Sequence, residues 1–458
     1  MSQSFRIEHD SMGELQVPAD ALWGAQTQRA IDNFHISGRP MPASFVKALA
    51  LVKASAALVN GHLGLLDRAQ ADAIVDAAAA IAAGAHAEQF PIDRYQTGSG
   101  TSSNMNANEV IAHTAAQASK LPIHPNDHVN LGQSSNDVIP TALRVMAAVG
   151  ARHELLPALA HLRKAIDKRA KAIGKTVKTG RTHLMDATPV TFGQELSAFV
   201  AQLDYAKDAI EHSLPAICQI AQGGTAVGTG LNSHPHFAEK VAAALAQQTG
   251  LPLTSAPNKF AALAGHERLV ILSGALKTLA VVLMKLANDL RLLGSGPRAG
   301  FAEVLLPANE PGSSIMPGKV NPTQCEALSM LACQVIGNDT TVSLAASQGH
   351  LQLNVFKPVI VHNLLESIGL LADGCVNFQK HCVEGMRANE QQMAAHLENG
   401  LMLVTALNRH IGYDNAAKIA KKAYEDNITL RQAAIALELV TDEQFSLWVR
   451  PHDMLKPE

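Results

Sequence analysis

Residues 269–290 read LVILSGALKTLAVVLMKLANDL, with leucine at 269, 272, 276, 279, 283, 286 and 290. The steps alternate three and four, which keeps one apolar seam on a single helix face and suits packing against near-parallel partners. Val270, Ile271, Ala275, Val281 and Val282 widen the apolar surface, so other helices are expected around this one. Lys277 and Lys285 break the run before the roughly 20 residues of a bilayer span, which favours a bundle over a membrane helix. Leu155, Leu159, Leu162 and Ile166 repeat the spacing, as do Leu196, Phe199, Leu203 and Ile210. The expected fold class is all-α, with a long central helical bundle over 134–390 flanked by smaller, mostly helical domains at 1–133 and 391–458.

Composition agrees with a packed helical interior. Of 458 residues, 47% are hydrophobic and only 4% aromatic, so the core is built from Ala, Leu, Val and Ile, and Ala and Leu are strong helix formers. A formal net charge of −3 gives no field to attract nucleic acid or an acidic membrane, so neither is an expected partner and any anion has to be held by local groups. Cys218, Cys325, Cys333, Cys375 and Cys382 are odd in number and show no C-x-x-C or iron–sulfur spacing, which predicts reduced thiols. The first ten residues have neither the apolar core of a secretion signal nor the acid-free composition of a transit peptide, so a cytoplasmic location is expected.

Helices are also expected over about 43–60 and 68–88, after an irregular arm at 8–36 that docks Trp23 in the core. Four polar islands interrupt this scaffold. Thr97-Gly98-Ser99-Gly100-Thr101-Ser102-Ser103-Asn104-Met105-Asn106 is uncharged and rich in hydroxyls, ahead of a helix expected at 108–119. Its donors suit a carboxylate, and equally suit ordinary capping. The next island holds His124-Pro125-Asn126-Asp127-His128 and Gln133-Ser134-Ser135-Asn136-Asp137. His124 and His128 stand four apart, as metal ligands on a helix would, but Pro125 and Asn126 argue against a helix there, and no metal is expected. Gly180-Arg181-Thr182-His183-Leu184-Met185-Asp186-Ala187-Thr188-Pro189 reads as a break between helices. Gly223 to Gly230 lacks a dinucleotide fingerprint and reads as a turn, and His234 and His236 mark a helix entry.

The fourth island is Gly312-Ser313-Ser314-Ile315-Met316-Pro317-Gly318-Lys319-Val320-Asn321-Pro322. Its prolines and glycines, with Pro311 before it, shape a non-helical loop. The loop carries two hydroxyls, an ammonium and an amide, which can hold an anion and move a proton beside it. This string resembles, nearly letter for letter, the G-S-S-x-M-P-x-K-x-N-P signature of the fumarase/aspartase superfamily of lyases. Residues 180–189 resemble the G-R-T-H-L-x-D-A-x-P segment of its fumarases, where aspartases carry Gln at the position of His183. Thr323-Gln324-Cys325-Glu326 continues as fumarases do, and residues 22–30 are similar to their N-terminal segment.

The resemblance to class II fumarases implies the fold of that superfamily and the reversible hydration of fumarate to (S)-malate, a step of the tricarboxylic acid cycle, with no metal or organic cofactor. It implies dicarboxylate ligands and a homotetramer whose central helices share a core and whose sites draw loops from three chains. By the same resemblance Ser313 takes the C3 proton, helped by Lys319 and loop N–H groups, and His183, oriented by Glu326, handles the hydroxyl that leaves as water. Ser99, Gly100, Thr101, Ser134, Ser135, Asn136, Thr182, Ser314, Lys319, Val320 and Asn321 would bind substrate. His124, Pro125, Asn126 and Asp127 match a secondary carboxylate position, although the chain departs at Leu131-Gly132, where relatives commonly read Lys-Ser, and at Leu121, where some are basic. Aspartate ammonia-lyase and the argininosuccinate and adenylosuccinate lyases share the signature loop; His183 favours fumarase. A serine hydrolase using Ser313 and His183 would lack the G-x-S-x-G elbow, and an idle structural scaffold would not need Ser313, Lys319, Asn321 and His183 intact.

Overall fold

Seventeen α-helices carry most of residues 4–457, which the computed structural model describes. The hairpin β1 (Phe5–Asp10) and β2 (Gly13–Pro18) leads into α1 (Ala25–Asn33), in place of the irregular arm expected there. Exposed and half-buried positions alternate along β1, the period-two pattern of a strand with one wet face, in a segment too polar to stand out by hydrophobicity. Glu109 fastens the arm, accepting the N–H groups of Gly24, Gln26 and Thr27 at 2.9, 3.0 and 3.1 Å. Trp23 is half-buried and donates to Gln28 at 3.0 Å, so it is not the core anchor expected.

Helices α2 (Ala43–His62), α3 (Arg68–Ala82) and α4 (Thr101–Ser119) follow. The second stops short of the expected end because Gly84 turns the chain at φ +102°. The third starts earlier than expected, so Thr101 to Asn106 form its first turns. Pro125–Val129 make one wide helical turn where none was expected, since proline at a first helical position has no N–H to satisfy and a suitable φ. Helix α5 (Ser135–Val149) passes through 150–155 into α6 (Leu156–Ile173).

Residues 180–189 lie on a second hairpin, β3 (Val177–Thr182) and β4 (Met185–Thr191), not on a loop between helices. Beyond α7 (Phe192–Ile217) come α8 (Phe237–Thr249), α9 (Lys259–Ala264), α10 (Glu267–Leu293), α11 (Thr323–Ala346) and α12 (Lys357–Phe378). Three further strand pairs are each two residues long. From α13 (Glu390–Asn399) onward the helices are short, and Val404, Leu407, Ile419, Leu430 and Phe445 belong to an apolar cluster of their own.

All seven seam leucines of α10 are buried. The two lysines that interrupt the run are neutralised: Lys277 reaches Asp339 at 2.5 Å, and Lys285 pairs with Asp289 and lies over the Phe199 ring. By length and composition alone α10 is nonetheless apolar enough to cross a membrane, as are α2 and Lys357–Val383, so the two lysines do not by themselves decide that question. Of the other apolar positions of α10, Ala275 is buried and Val270 and Val282 are half-buried, whereas Ile271 and Val281 are 60% and 54% exposed in the single chain.

Packing divides the chain into two units, one of Met1–Pro157, Ala206–Ala280 and Leu331–Ala372, the other of Ala158–Tyr205, Val281–Met330 and Asp373–Glu458. Several of the boundaries fall inside helices, among them α7, α10, α11 and α12. All five cysteines are free thiols, and four are buried.

Candidate active site

In the first unit two polar segments meet. A side chain at Gly98 would place its Cβ 1.7 Å from the Val355 carbonyl oxygen, and one at Gly100, which sits at φ +80°, would strike Ile139. These two glycines therefore let the strand of backbone lie flat against its neighbours and present Ser99 and Thr101, whose hydroxyls bond each other at 2.8 Å. Thr101 is the first residue of α4, where free N–H groups and the helix dipole favour an anion.

Ser134 caps α5 in a capping box: its hydroxyl accepts from the Asn136 N–H at 3.2 Å, and Asp137 accepts from the Ser134 N–H at 2.9 Å. The other oxygen of Asp137 accepts from the N–H groups of Gly223 and Thr225, both at 2.9 Å, and Asn136 donates to the Ala226 carbonyl at 2.8 Å. The glycine-rich turn at 223–230 is thus a brace for residues 134–136. Burial pushes the Asp137 carboxyl up to about 6, against its backbone donors and the charge of Lys53. Asp137 and its brace carried no role in the sequence reading; the Ser-x-x-Asp spacing was the signal for it.

His124 caps the turn at Pro125–Val129, accepting from the Asp127 N–H at 3.1 Å and lying 3.2 Å from its carboxylate. Among the described residues no group of His, Cys, Asp and Glu forms a metal cluster. His124, Pro125 and Asn126 instead line a cavity of about 600 Å³ with Arg6, Trp23 and His113.

The second unit holds the catalytic candidates. His183 and Leu184 are the two central residues of the β3–β4 hairpin, at φ +57° and +62°. Both central residues of such a turn need positive φ, a conformation that normally selects Asn and Gly, so a His-Leu pair there is strained. Strain of this kind gathers at functional sites. The His183 ring is exposed and makes no hydrogen bond among the described residues, and Thr182 beside it is exposed as well.

What holds the hairpin is Glu303. Fully buried, it takes two hydrogen bonds from Arg181, at 2.8 and 3.1 Å, lies 3.1 Å from Lys178, and meets His396 of α13 at 2.8 Å. Arg181 also stacks on Phe301, 4.3 Å from the ring centre. Burial raises the Glu303 carboxyl, but Arg181, Lys178 and His396 outweigh it and hold it below the usual glutamate value. A lowered carboxyl stabilises the fold above its unfolded pKa and loses that contribution as pH falls through the folded one. Glu303→Gln is expected to cost about 3 to 5 kcal/mol, the scale for breaking a buried ion pair, read as a lower denaturant midpoint.

The loop at 312–322 closes on itself. The Gly312 N–H donates to the Lys319 carbonyl at 2.8 Å, Asn321 donates to the Gly312 carbonyl at 2.5 Å, and Lys319 donates to the Asn321 side chain at 2.7 Å. A Cβ at Gly312 would lie 2.5 Å from the Lys319 carbonyl oxygen, so only glycine permits this closure. Inside the loop the Ser313 hydroxyl oxygen accepts from the N–H groups of Ile315 and Met316, at 3.3 and 3.0 Å. Lys319 is bonded to Asn321 and not to Ser313. Ser314 and Val320 are exposed, and Glu326 is half-buried in the first turn of α11. Among the described residues of this chain, no hydrogen bond or ion pair joins His183 to Ser313 or Glu326.

A mostly helical scaffold that presents hydroxyl, amide, ammonium and imidazole groups from separate segments has the means to hold an anion and move a proton beside it. A family model described as "Lyase" matches residues 13–337, and one described as "Fumarase C C-terminus" matches residues 403–456. A Pseudomonas aeruginosa protein named fumarate hydratase class II 1 is 65% identical over 98% of both chains, and its Pseudomonas putida counterpart is 64% identical over 99% of both. A crystal structure of class II fumarase from Schistosoma mansoni superimposes with a TM-score of 0.96 at 45% identity, over 99% of this chain and 100% of that one. The chain belongs to the class II fumarate hydratase family.

Proposed function

We propose that this chain hydrates fumarate reversibly to (S)-malate, with Ser313 as the base at C3. The observation that carries the assignment is the placement of the Ser313 oxygen before two backbone N–H groups, in a loop tied by Gly312, Lys319 and Asn321. A serine is a useful base only where negative charge on its oxygen is stabilised, and fixed N–H donors do this without reorganising.

In the malate-to-fumarate direction, Ser313 takes the proton from C3, and the electrons left behind collect on the adjoining carboxylate. Lys319 and Asn321, with Ser314 and the Val320 backbone, meet that charge. Ser99, Gly100, Thr101, Ser134, Ser135, Asn136 and Thr182 hold the substrate's carboxylates in place. As the C2–C3 double bond forms, the C2–O bond breaks, and His183, oriented by Glu326, protonates the departing hydroxyl so that it leaves as water. His124 to Asp127 form a secondary carboxylate position. The reaction is tested by following fumarate in D2O by proton NMR. Malate carrying a single deuterium at one C3 position is expected; deuterium scrambled over both positions would contradict a single base.

The same reading makes the protein a cytoplasmic homotetramer, with a central bundle at 134–390 between smaller domains. Its support is the exposed apolar run on the central helices, Ile271, Val281, Met330 and Leu344, which a shared core would cover. Sites drawn from several chains predict complementation. Ser313→Ala and His183→Asn proteins, unfolded and refolded together, are expected to regain activity that neither has alone; no recovery in mixed tetramers would place Ser313 and His183 of one site in the same chain.

A further inference from the structure

Lys357, the first residue of α12, touches both carboxylate-binding segments of the first unit. Its backbone N–H donates to the Gly98 carbonyl at 3.2 Å, and its ammonium lies 3.5 Å from the Asn136 carbonyl oxygen. The side chain is fully buried, and that long contact is the ammonium's one hydrogen bond among the described residues. An ammonium has three donors, and leaving most of them unmet away from water is unfavourable.

The surroundings do not neutralise it. Asp137 and Arg144 face it from α5, His266 from just before α10, with Lys259 on α9 and Lys53 on α2 gathered about the same carboxylate. Three lysines, Lys53, Lys259 and Lys357, therefore share one buried carboxylate, Asp137, while the Arg144 guanidinium answers to Glu267. Lys53 is satisfied by Asn130 and Gln133 at 2.8 and 3.1 Å, and Lys259 by the Ile220 carbonyl at 3.0 Å. Arg144 donates to the Gln219 carbonyl at 2.6 Å. His266 is wholly buried with neither ring nitrogen bonded; burial and the charges of Arg144 and Lys357 hold it neutral. Of these cations Lys357 is the one aimed at the backbone of a carboxylate-binding segment.

We propose that Lys357 is a positioning residue for the reaction: its ammonium steadies the Asn136 carbonyl and supplies, from behind residues 134–136, positive charge to the substrate carboxylate bound there. The inference rests on the fumarate reading and extends it to a residue outside the signature segments. Burial pushes the Lys357 ammonium down to about 7 despite Asp137, with Arg144 pushing the same way. The charge is therefore lost as pH rises through neutrality, and substrate binding weakens with it.

The test compares the full-length wild type with Lys357→Met and Lys357→Arg, measuring KM and kcat for fumarate from about pH 6 to about pH 8.5. Lys357→Met is expected to raise KM roughly ten-fold at the acid end with kcat within about three-fold, the scale of one charged contact. Lys357→Arg is expected to recover most of that loss. The wild-type KM is expected to climb above pH 7, and the Met variant's to climb less. An unchanged KM in Lys357→Met, or a loss of kcat and melting temperature at constant KM, would make Lys357 a structural residue. Should Lys357→Met not fold, the wild-type profile decides, and a KM flat through pH 7 overturns the proposal. A wild type that turns over no fumarate would sink both this inference and the reading beneath it, whereas an active wild type with an indifferent Lys357→Met sinks this one alone.

Discussion

Ser313→Ala lowers kcat by at least about 100-fold while the protein stays folded; this is the expected result, on the scale of a lost acid–base group. The loop should survive the change, because its closure depends on Gly312, Lys319 and Asn321 and not on the Ser313 hydroxyl. The two N–H groups that lose their acceptor belong to exposed residues and turn to water. A competing role exists for this hydroxyl: serine often accepts N–H groups two and three residues on simply to shape a turn. That role predicts a loss of about 1 kcal/mol in stability and near-normal turnover. Steady-state kinetics beside a melting curve separate the two, and near-normal kcat would remove Ser313 as the base.

His183→Asn is expected to lose activity on a comparable scale. Asparagine is the informative replacement because it tolerates the positive φ that this position requires, so the hairpin tip keeps its shape when the imidazole goes. A drop in kcat then reports the ring and not the turn. An unchanged pH–rate profile in a still-active variant would mean that His183 does no proton transfer. Glu303 supplies the contrast: its loss should lower the stability of the hairpin's support, and through it the precision with which His183 is held.

The helical bundle was legible because its signal is periodic. The leucine seam of α10 specifies a buried face residue by residue, and the structure buries every one. Both hairpins escaped notice for the opposite reason. The first runs against the usual alternation, with Phe5 and Ile7 exposed and Arg6, Glu8 and Asp10 half-buried, and the second turns through His-Leu, where sequence rules look for Asn-Gly. The helical turn at Pro125–Val129 was misread because proline was weighed as a breaker and not as a first residue. Candidate residues were legible as strings, through resemblance. Their supports were not: Asp137 reaches 86 residues along the chain to Gly223, Glu303 reaches 122 back to Arg181, and Lys357 reaches 221 back to Asn136. Nothing local marks such pairings, since each is made by the fold and only then becomes a bond.

The most direct measurement is the ultraviolet absorbance of purified, metal-stripped protein mixed with (S)-malate, watching for the conjugated double bond of fumarate. A rise without added metal is the predicted result. No rise with malate, and a rise with aspartate in its place, would contradict the account and turn the assignment to an ammonia-lyase.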